Sequence, residues 1–364
     1  MSIGIITFHA AHNYGAMLQA YALQTFIKDN IDSEVQIIDF RTKEDIMSYQ
    51  IFKRPQKIRK YYREFIKLFY YRQLVKRYNS FEDFLKIYIN TTHRYSSYQS
   101  LVNTPPEFDY YIAGSDQVFS PKRKEINAYY LSFGKKTTKK IAYAPSFGYK
   151  TIPPEKKEKI TTLLKQFNHL SAREISGCEI IRELTGKEVT NVLDPVFLLN
   201  HQQYTTIAKP VKLKTKKYIL CYALVGIKKQ IPLALKLKEI TGLPIILLKD
   251  SALFPVKGVD KIIRFAGPRE FLWLFENASY VVTDSFHGTA FSLLFRKNFF
   301  TTIAFPEKAE RIYSILSQTD LANRIVESPD EISINNLKID YSHANKKLEE
   351  KVQLSKNFLL TSLQ

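Results

Sequence analysis

The alternation of short apolar runs with amphipathic segments constrains the fold of this chain most. Residues 3–8 (IGIITF) have the pattern of a buried strand, and residues 16–29 carry apolar side chains at helical spacing. A second strand pattern follows at residues 34–40. A strand, a helix and a strand in this order predict a βαβ unit, and therefore a parallel sheet with helices on its faces.

The same alternation restarts in the second half, with a strand pattern at residues 218–225. We therefore predict an α/β protein with two doubly wound, Rossmann-like domains and a cleft between them. The first domain is placed at residues 1–200, with a helical insertion near 53–90, and the second at 201–340. Residues 341–364 are predicted to form a C-terminal helix. Ligands of such sheets bind beyond the carboxyl ends of the strands.

Composition excludes several classes of protein. The 364 residues are 45% hydrophobic and 24% charged, which is ordinary for globular domains and unlike disordered chains. No apolar run approaches the roughly 18 residues that span a bilayer, and the N-terminus is interpreted as a first strand instead of a signal peptide. The two cysteines, Cys178 and Cys221, are too few for a disulfide framework. We expect a reducing, cytoplasmic location.

Charge is the unusual property of the chain. Its 54 basic and 35 acidic residues give a formal net charge of +19, which bears on partners and not on fold. Residues 53–77 contain ten Lys or Arg, one Glu and six Tyr or Phe. This mixture favours an anionic membrane surface, and the protein is expected at the inner face of the plasma membrane. The alternative is a solvated helix whose aromatic rings pack on the domain.

Polar loops after the predicted strands supply candidate binding groups. In the first loop, Asn13 would cap a helix, and Gly15 would let backbone N–H groups approach an anion. His9 and His12 of the same loop could instead be a metal pair, or the loop could be a capped turn without a ligand. In the second loop, Asp116 suits sugar hydroxyls or the role of a general base, and an N-cap with a tight turn is the alternative.

Three later segments add further candidates. Ser146 lies at a strand end, where a plain turn is the alternative. Arg173 follows a predicted strand directly and offers a fork for a carboxylate or phosphate, unless it forms a surface ion pair with Glu174. Arg311 either completes an anion pocket or remains a solvated charge on its helix.

The most informative loop is residues 283–290 (TDSFHGTA), between a buried strand and a buried helix. An imidazole at a helix N-terminus can donate to an anion or transfer a proton, so His287 is the main catalytic candidate, and a structural histidine is the alternative. The sequence contains no GxGxxG, GxxxxGK[ST], HExxH, GxSxG or CxxC pattern. No sequence motif therefore supports dinucleotide binding of the standard kind, P-loop chemistry or zinc hydrolysis.

Six motifs occur in order: NYGAMLQAYALQ, GSDQVF, YAPSFG, SARE, LDPVFLL and TDSFHGTAFSLLF. Together they make the chain resemble the polysaccharide pyruvyl transferase family, from about residue 3 to residue 325. The resemblance implies a GT-B-like fold with an acceptor side in the first domain and a donor side in the second. It also implies transfer of pyruvate from phosphoenolpyruvate onto a sugar as a cyclic ketal, in capsule, exopolysaccharide or cell-wall polymer synthesis.

The resemblance also suggests roles for individual residues. His287 inherits the role of acid or phosphate contact, and we assign Asp116 as the base. The predicted substrate-binding residues are Asn13, Gly15, Gln19, Ser115, Gln117, Ser146, Arg173, Asp284, Ser285, Gly288, Thr289 and Arg311. Several family members have Arg where this chain has Ser285. Arg173 or Arg311 must then hold the phosphate or carboxylate, and the departure leaves room for a different donor.

Two other functions compete with pyruvyl transfer. A GT-B-type glycosyltransferase would use a nucleotide sugar, but the second domain lacks a clear acid for the ribose, although Glu270 and Glu276 are nearby. A non-catalytic nucleic-acid binder would fit the charge, but no recognised nucleic-acid motif appears. The predicted partners are phosphoenolpyruvate and a lipid-linked sugar acceptor, without nucleic acid. No metal and no further cofactor are predicted.

Overall fold

The computed structural model describes residues 1–52, 64–305 and 309–364, and their strands form two parallel sheets. The first sheet has the order β3-β2-β1-β4-β5-β6-β7, and the second has the order β10-β9-β8-β11-β12. The strands are β1 Ser2–Ile6, β2 Glu34–Phe40, β3 Thr91–Tyr95, β4 Tyr110–Ala113, β5 Lys139–Ala142, β6 His169–Ala172, β7 Thr190–Asn191, β8 Ile219–Tyr222, β9 Ile245–Leu248, β10 Lys261–Ile263, β11 Tyr280–Thr283 and β12 Asn298–Thr301.

Helices cover both faces of each sheet, as parallel strands require. They comprise Tyr14–Asn30, Lys43–Ser48, Tyr71–Tyr88, Tyr98–Asn103, Ile126–Tyr129, Pro154–Lys165, Ile175–Thr185, His201–Ile207, Gln230–Thr241, Pro268–Asn277, Phe286–Leu294, Glu310–Gln318 and Tyr341–Ser362. The prediction of two doubly wound α/β sheets is confirmed.

The strand orders explain where a ligand can bind. In the first sheet the chain order reverses between β1 and β4, and in the second it reverses between β8 and β11. Neighbouring loops leave in opposite directions at such a point and open a crevice at the carboxyl ends of the strands. The loops with Asn13, Asp116 and His287 follow β1, β4 and β11. The predicted candidates therefore lie at the two switch points.

Part of the predicted basic insertion lies outside the described residues, namely 53–63. The described part is helical at residues 64–70 and continues as the helix Tyr71–Tyr88. That helix touches both halves of the protein: Arg77 Nη2 donates to the backbone oxygen of His12 at 2.9 Å, and Arg77 Nε lies 3.7 Å from Asp250 Oδ2. None of the described helices is long and apolar enough to cross a membrane.

The C-terminal helix Tyr341–Ser362 also joins the two halves. Its first residue, Tyr341, donates from its hydroxyl to the backbone oxygen of Lys297, near β12, at 2.6 Å. Further along, Ser355 Oγ accepts from the backbone N–H of Leu193 at 2.9 Å. The helix therefore begins beside the second sheet and ends beside the first sheet. Its contacts with both sheets connect the two halves across the crevice.

Candidate active site

The carboxyl ends of the two sheets face a cavity of about 290 Å³. Its walls are the loops after β1, β4, β8, β11 and β12 and the start of the helix Glu310–Gln318. Seven of the predicted site residues line it: Asn13, Asp116, Gln117, Asp284, Ser285, His287 and Arg311. The structure therefore brings candidates from both halves of the chain to one place.

His287 lies where two helix N-termini meet. It occupies the first turn of Phe286–Leu294, and only 7% of its surface is exposed. Its ring packs on Gly15, in the first turn of Tyr14–Asn30, so closely that a Cβ at Gly15 would lie 2.0 Å from His287 Nδ1. Asn13 caps the same helix by accepting from an N–H of its first turn. Glycine at position 15 therefore serves the close approach of the imidazole.

A buried carboxylate that was not predicted from the sequence, Asp194, lies beside His287. Its Oδ2 accepts from Ser115 Oγ at 3.0 Å and from Arg173 Nη1 at 2.5 Å, and it lies 3.6 Å from His287 Nε2. Burial acts to raise the pKa of Asp194. The His287 imidazole, the charge of Arg173 and the N–H of Val196 outweigh burial and hold that pKa well below its usual value. Asp194 is therefore a buried anion that links both halves of the site.

Arg173 forms an ion pair with Glu174, which was the alternative to the predicted anion site, but the pair is buried instead of lying on the surface. Arg173 Nε donates to Glu174 Oε1 at 3.0 Å, and its guanidinium carbon lies 4.5 Å from the centre of the Phe286 ring. With Asp194, two carboxylates balance its charge. Only Nη2 has no hydrogen-bond partner within the part of the chain that the structure describes. Arg173 is thus mainly a structural cation beneath the cavity.

Arg311 is in the opposite situation, because it lines the cavity and its charge is poorly balanced by the residues that the structure describes. Among these residues, its nearest ion-pair contact is 3.9 Å, from Nη1 to Asp116 Oδ1. Burial, and next the charge of Arg173, lower the pKa of Arg311, and Asp116, Glu174 and Asp194 only partly offset this. Its Nε is buried without a hydrogen-bond partner among the residues described. An anion in the cavity would supply the missing charge.

Asp116 has a strained backbone at the mouth of the first sheet. Its φ of 71° is in the left-handed region, which is uncommon for a residue other than glycine. The loop after β5 holds it there, because Ser146 N–H donates to the backbone oxygen of Asp116 at 2.9 Å. Its Oδ1 accepts from the N–H of Gln117 at 2.8 Å. Such strain persists where the surroundings fix it, often at functional sites, and here it carries a carboxylate to the cavity wall.

The loop after β11 is held by its own polar side chains. Ser285 accepts from the N–H of Gly288 at 3.3 Å and so caps the helix that carries His287. Asp284 accepts from the N–H groups of Leu224 and Val225, at 2.6 and 3.1 Å. Burial raises the pKa of Asp284. These residues therefore fix the loops after β8 and β11 against each other at the cavity wall.

Three predicted binding residues, Gln19, Ser146 and Thr289, are fully buried beneath the cavity and do not line it. Gln19 Nε2 donates to Thr7 Oγ1 at 2.8 Å. Thr289 Oγ1 donates to the backbone oxygen of Ser285 at 3.1 Å. Ser146 Oγ accepts from the N–H two residues later at 3.1 Å. Their side chains support the loops from below, and the expected direct contact with substrate does not follow from this placement.

A second cavity, of about 360 Å³, adjoins the first on the side of the first sheet. The two cavities share Phe8, Asn13 and Asp116. Its wall combines aromatic side chains, such as Tyr49 and Tyr78, with charged side chains. Flat apolar rings beside hydrogen-bond donors and acceptors complement the two kinds of surface on a sugar. The hydroxyls of a sugar are polar, and the faces of its ring are apolar.

The histidine pair of the first loop lines this second cavity, but the two rings bind different carboxylates. His9 Nε2 lies 3.1 Å from Asp39 Oδ1, and His12 Nε2 lies 2.9 Å from Glu82 Oε1. Asp39 belongs to β2 and Glu82 to the helix Tyr71–Tyr88. The geometry therefore favours two separate hydrogen-bonded pairs over a shared metal position.

The two acids considered for a nucleotide ribose are already occupied. Glu270 Oε2 accepts from the N–H of Gly267 at 3.1 Å, and Lys209 lies 3.3 Å from its Oε1. Glu276 Oε1 accepts from Thr205 Oγ1 at 2.6 Å. Neither side chain lines the cavity between the sheets. This arrangement weakens the nucleotide-sugar alternative.

Sequence comparison identifies one matching family. The family model described as polysaccharide pyruvyl transferase matches residues 13–304, which includes the candidate loops after β1, β4 and β11. A search of curated proteins by sequence found no match.

Solved structures with the same fold are distant in sequence. A UDP-N-acetylglucosamine 2-epimerase from Listeria monocytogenes is 8% identical, with 100% of this chain and 95% of that chain covered and a TM-score of 0.53. S. aureus MnaA with UDP is 10% identical, with coverage of 98% and 90% and a TM-score of 0.52. The N-terminal domain of Candida albicans trehalose-6-phosphate phosphatase is 11% identical, with coverage of 100% and 98% and a TM-score of 0.50. At such identities the likeness concerns the fold, and the predicted GT-B-like architecture is confirmed.

Proposed function

Since this chain belongs to the polysaccharide pyruvyl transferase family, we propose that it transfers pyruvate from phosphoenolpyruvate onto a sugar and closes a cyclic ketal. The observation that carries the proposal is the cavity where Arg311, His287 and Asp116 meet. Phosphoenolpyruvate carries about three negative charges at neutral pH, because its phosphate titrates near pH 6 and its carboxylate is ionised. The underbalanced charge of Arg311 suits such a ligand.

Arg311 and the helix that begins at Phe286 form the donor site in this scheme. The N-terminus of that helix offers backbone N–H groups and a partial positive charge to the phosphate. Ser285 stands where several family members have Arg, so Arg311 takes over the contact with the phosphate or carboxylate. Arg173 lies behind the cavity, where it holds Asp194 and Glu174 in the buried cluster. The scheme uses no metal, because these groups neutralise the phosphate.

The reaction proceeds by proton transfer and substitution at C2. His287 delivers a proton to the methylene carbon, which becomes the methyl group, and C2 becomes electrophilic. Asp116 accepts the proton of the first sugar hydroxyl as its oxygen bonds to C2. The C2–O bond to phosphate then breaks, and the second hydroxyl closes the ring. One hydroxyl proton replaces the proton that His287 gave, and the other leaves with the phosphate as HPO₄²⁻.

The second cavity is the proposed site of the acceptor sugar. It reaches Asp116 from the first sheet's side, opposite Arg311, so an acceptor hydroxyl and the donor would meet at the shared wall. We propose that the acceptor is part of a polysaccharide or of a lipid-linked oligosaccharide precursor. The product would belong to a bacterial capsule, exopolysaccharide or cell-wall polymer, and the enzyme would act at the cytoplasmic side of the membrane.

A phosphate-release assay tests the donor and the catalytic assignment. Wild-type protein is expected to release phosphate from phosphoenolpyruvate only with a suitable sugar, drawn from lipid-linked or nitrophenyl galactosides, glucosides and mannosaminides. His287→Ala is expected to lower kcat by about 10²–10⁴-fold. Arg311→Ala is expected to raise the KM for phosphoenolpyruvate. Mass spectrometry of the acceptor would identify the ketal.

Lys236→Ala is the matched control for the loss of a cation, because Lys236 pairs with Glu239 on an exposed helix away from the cavity. It is expected to behave as wild type. Full activity of His287→Ala would contradict the assignment of that residue. The absence of both phosphate release and a thermal shift with phosphoenolpyruvate would indicate a different donor, and Ser285 would be the first residue to examine.

A further inference from the structure

Three large apolar side chains are exposed together at the start of the basic insertion. Phe65, Leu68 and Phe69 are 59%, 56% and 75% exposed. Residues 64–70 are helical, so positions separated by three and four residues share one face. The rings of Phe65 and Phe69 contact each other edge to face, with centroids 5.9 Å apart. Scattered exposed apolar residues are ordinary, but a contiguous cluster marks an interaction site. We call these three residues the apolar patch.

The apolar patch is held by the residues on the other face of the same turns. Ile66 is buried, and Lys67 Nζ donates to the backbone oxygen of Ile51 at 2.8 Å. Lys67 also pairs with Glu64 at 2.8 Å. The segment then continues into the helix Tyr71–Tyr88, which is packed between both halves of the protein. The patch is therefore a fixed surface that faces outward.

The charge of the protein determines what can cover the apolar patch. The chain has a formal net charge of +19, and in the sequence the patch lies within residues 53–77, which contain ten Lys or Arg and one Glu. Two of these cations, Arg72 and Lys76, are exposed on the helix Tyr71–Tyr88 that follows the patch. A second copy of the same surface would bring like charges together, which opposes self-association. An anionic bilayer offers the opposite charge together with an apolar interior. Basic residues beside exposed aromatic and leucine side chains are the pattern of an interfacial segment.

We propose that the apolar patch inserts into the headgroup region of an anionic lipid bilayer, while the positive charge of the protein, including Arg72 and Lys76, is attracted to the lipid phosphates. Phe65, Leu68 and Phe69 would enter the boundary with the acyl chains. The cations would remain at the surface, where long side chains can keep their charged ends in water. The attraction depends on lipid charge and on salt, and the insertion depends on the three apolar side chains.

This orientation places the second cavity close to the membrane. Tyr78 and Glu82 of the helix Tyr71–Tyr88 line that cavity. At 1.5 Å per residue, Tyr78 lies about 10 Å along the axis from Tyr71, next to the apolar patch. A sugar attached to a lipid in the same bilayer could reach the cavity without leaving the membrane. This last step rests on the proposed function, whereas binding to the bilayer does not.

Flotation with lipid vesicles tests the inference. Wild-type protein is expected to float with vesicles of phosphatidylcholine mixed with phosphatidylglycerol and to remain unbound with phosphatidylcholine alone. The variant Phe65→Ser/Leu68→Ser/Phe69→Ser is expected to bind the anionic vesicles at least about tenfold more weakly, because three apolar side chains no longer leave water. Added salt should weaken binding of the wild type.

Ile334→Ser is the matched control, because Ile334 is a single apolar residue with 74% exposure, far along the chain from the patch. It should bind as wild type, and circular dichroism should show that all variants are folded. Equal binding of the triple variant and the wild type would overturn the inference, as would failure of the wild type to bind anionic vesicles. Light scattering that shows a dimer broken by the triple variant would assign the patch to self-association. The phosphate-release assay uses no bilayer, so a failed flotation leaves the transferase proposal standing.

Discussion

Asp194→Asn is expected to lower the free energy of unfolding by about 3 kcal/mol at neutral pH. Asparagine keeps the shape of the side chain but removes the charge that pairs with Arg173 at 2.5 Å and faces His287 at 3.6 Å. Breaking a buried ion pair costs about 3–5 kcal/mol, and the lower end applies because Glu174 still holds Arg173. Urea unfolding followed by circular dichroism would measure the difference.

The pH dependence of this effect has a definite sign. The folded protein holds the pKa of Asp194 below the usual carboxyl value of 3.8. Such a group stabilises the fold fully above its unfolded pKa, and the contribution disappears as the pH falls through the folded pKa. The difference between wild type and Asp194→Asn is therefore expected to be constant near neutrality and to shrink below about pH 4.

Asp320→Asn is the matched control, because Asp320 is a half-exposed carboxylate paired with Lys347 and His343 on the surface. It should change the unfolding free energy very little, since exposed ion pairs contribute little. If Asp194→Asn unfolds at the same urea concentration as the wild type at every pH, Asp194 is not the buried anion described above. Reduced kcat in Asp194→Asn with an unchanged KM would further indicate that it positions His287.

The catalytic candidates could be predicted because they follow strands at the two switch points. His287 and Asp116 stand in short polar loops between apolar runs, and such loops meet wherever parallel strands end. Asp194 could not be predicted in the same way. It lies in LDPVFLL, which resembles the end of a strand, and it caps a short 3-10 helix, Pro195–Phe197. Its role comes from contacts across the interior, and no local pattern encodes these.

The choice between two cations also needed three-dimensional information. From the sequence, Arg173 and Arg311 were the two candidates to replace the Arg that is missing at Ser285. Adjacent Glu174 suggested a surface pair, whereas the structure buries Arg173 between two carboxylates. Arg311 has one ion-pair contact within the described residues, at 3.9 Å. Burial and the balance of charge distinguish the two, and both depend on packing.

Buried strands of the fold were easier to predict than edge strands. Residues 34–40 were predicted as a strand and form β2, Glu34–Phe40, in the interior of the sheet. The edge strands Thr91–Tyr95 and Lys261–Ile263 were missed. The first is polar and half exposed, and the second has three residues, so neither shows an apolar run.

Gly15→Ala is expected to reduce kcat by about 10²-fold or more, because the new methyl group would displace His287. The added Cβ would lie 2.0 Å from Nδ1 and 2.1 Å from Cγ of the imidazole, far inside any allowed contact. The free energy of unfolding should fall by about 1–3 kcal/mol, the usual cost of overpacking. Helix propensity alone predicts that the free energy of unfolding would rise instead, since alanine is favoured over glycine in a helix by up to about 1 kcal/mol. The direction of the change therefore separates the two effects.

The double variant Gly15→Ala/His287→Ala isolates the contact between the two helices. Without the imidazole, the methyl group introduced at position 15 has room, so the second substitution should recover part of the stability lost by the first. A coupling energy of about 0.5–3 kcal/mol between the two positions is expected for residues in direct contact. Gly226→Ala is the control, because a Cβ at Gly226 would meet nothing within 4 Å. Additive effects, or a stable and fully active Gly15→Ala variant, would show that His287 does not rest on Gly15, and the two helix N-termini would then not meet at the imidazole.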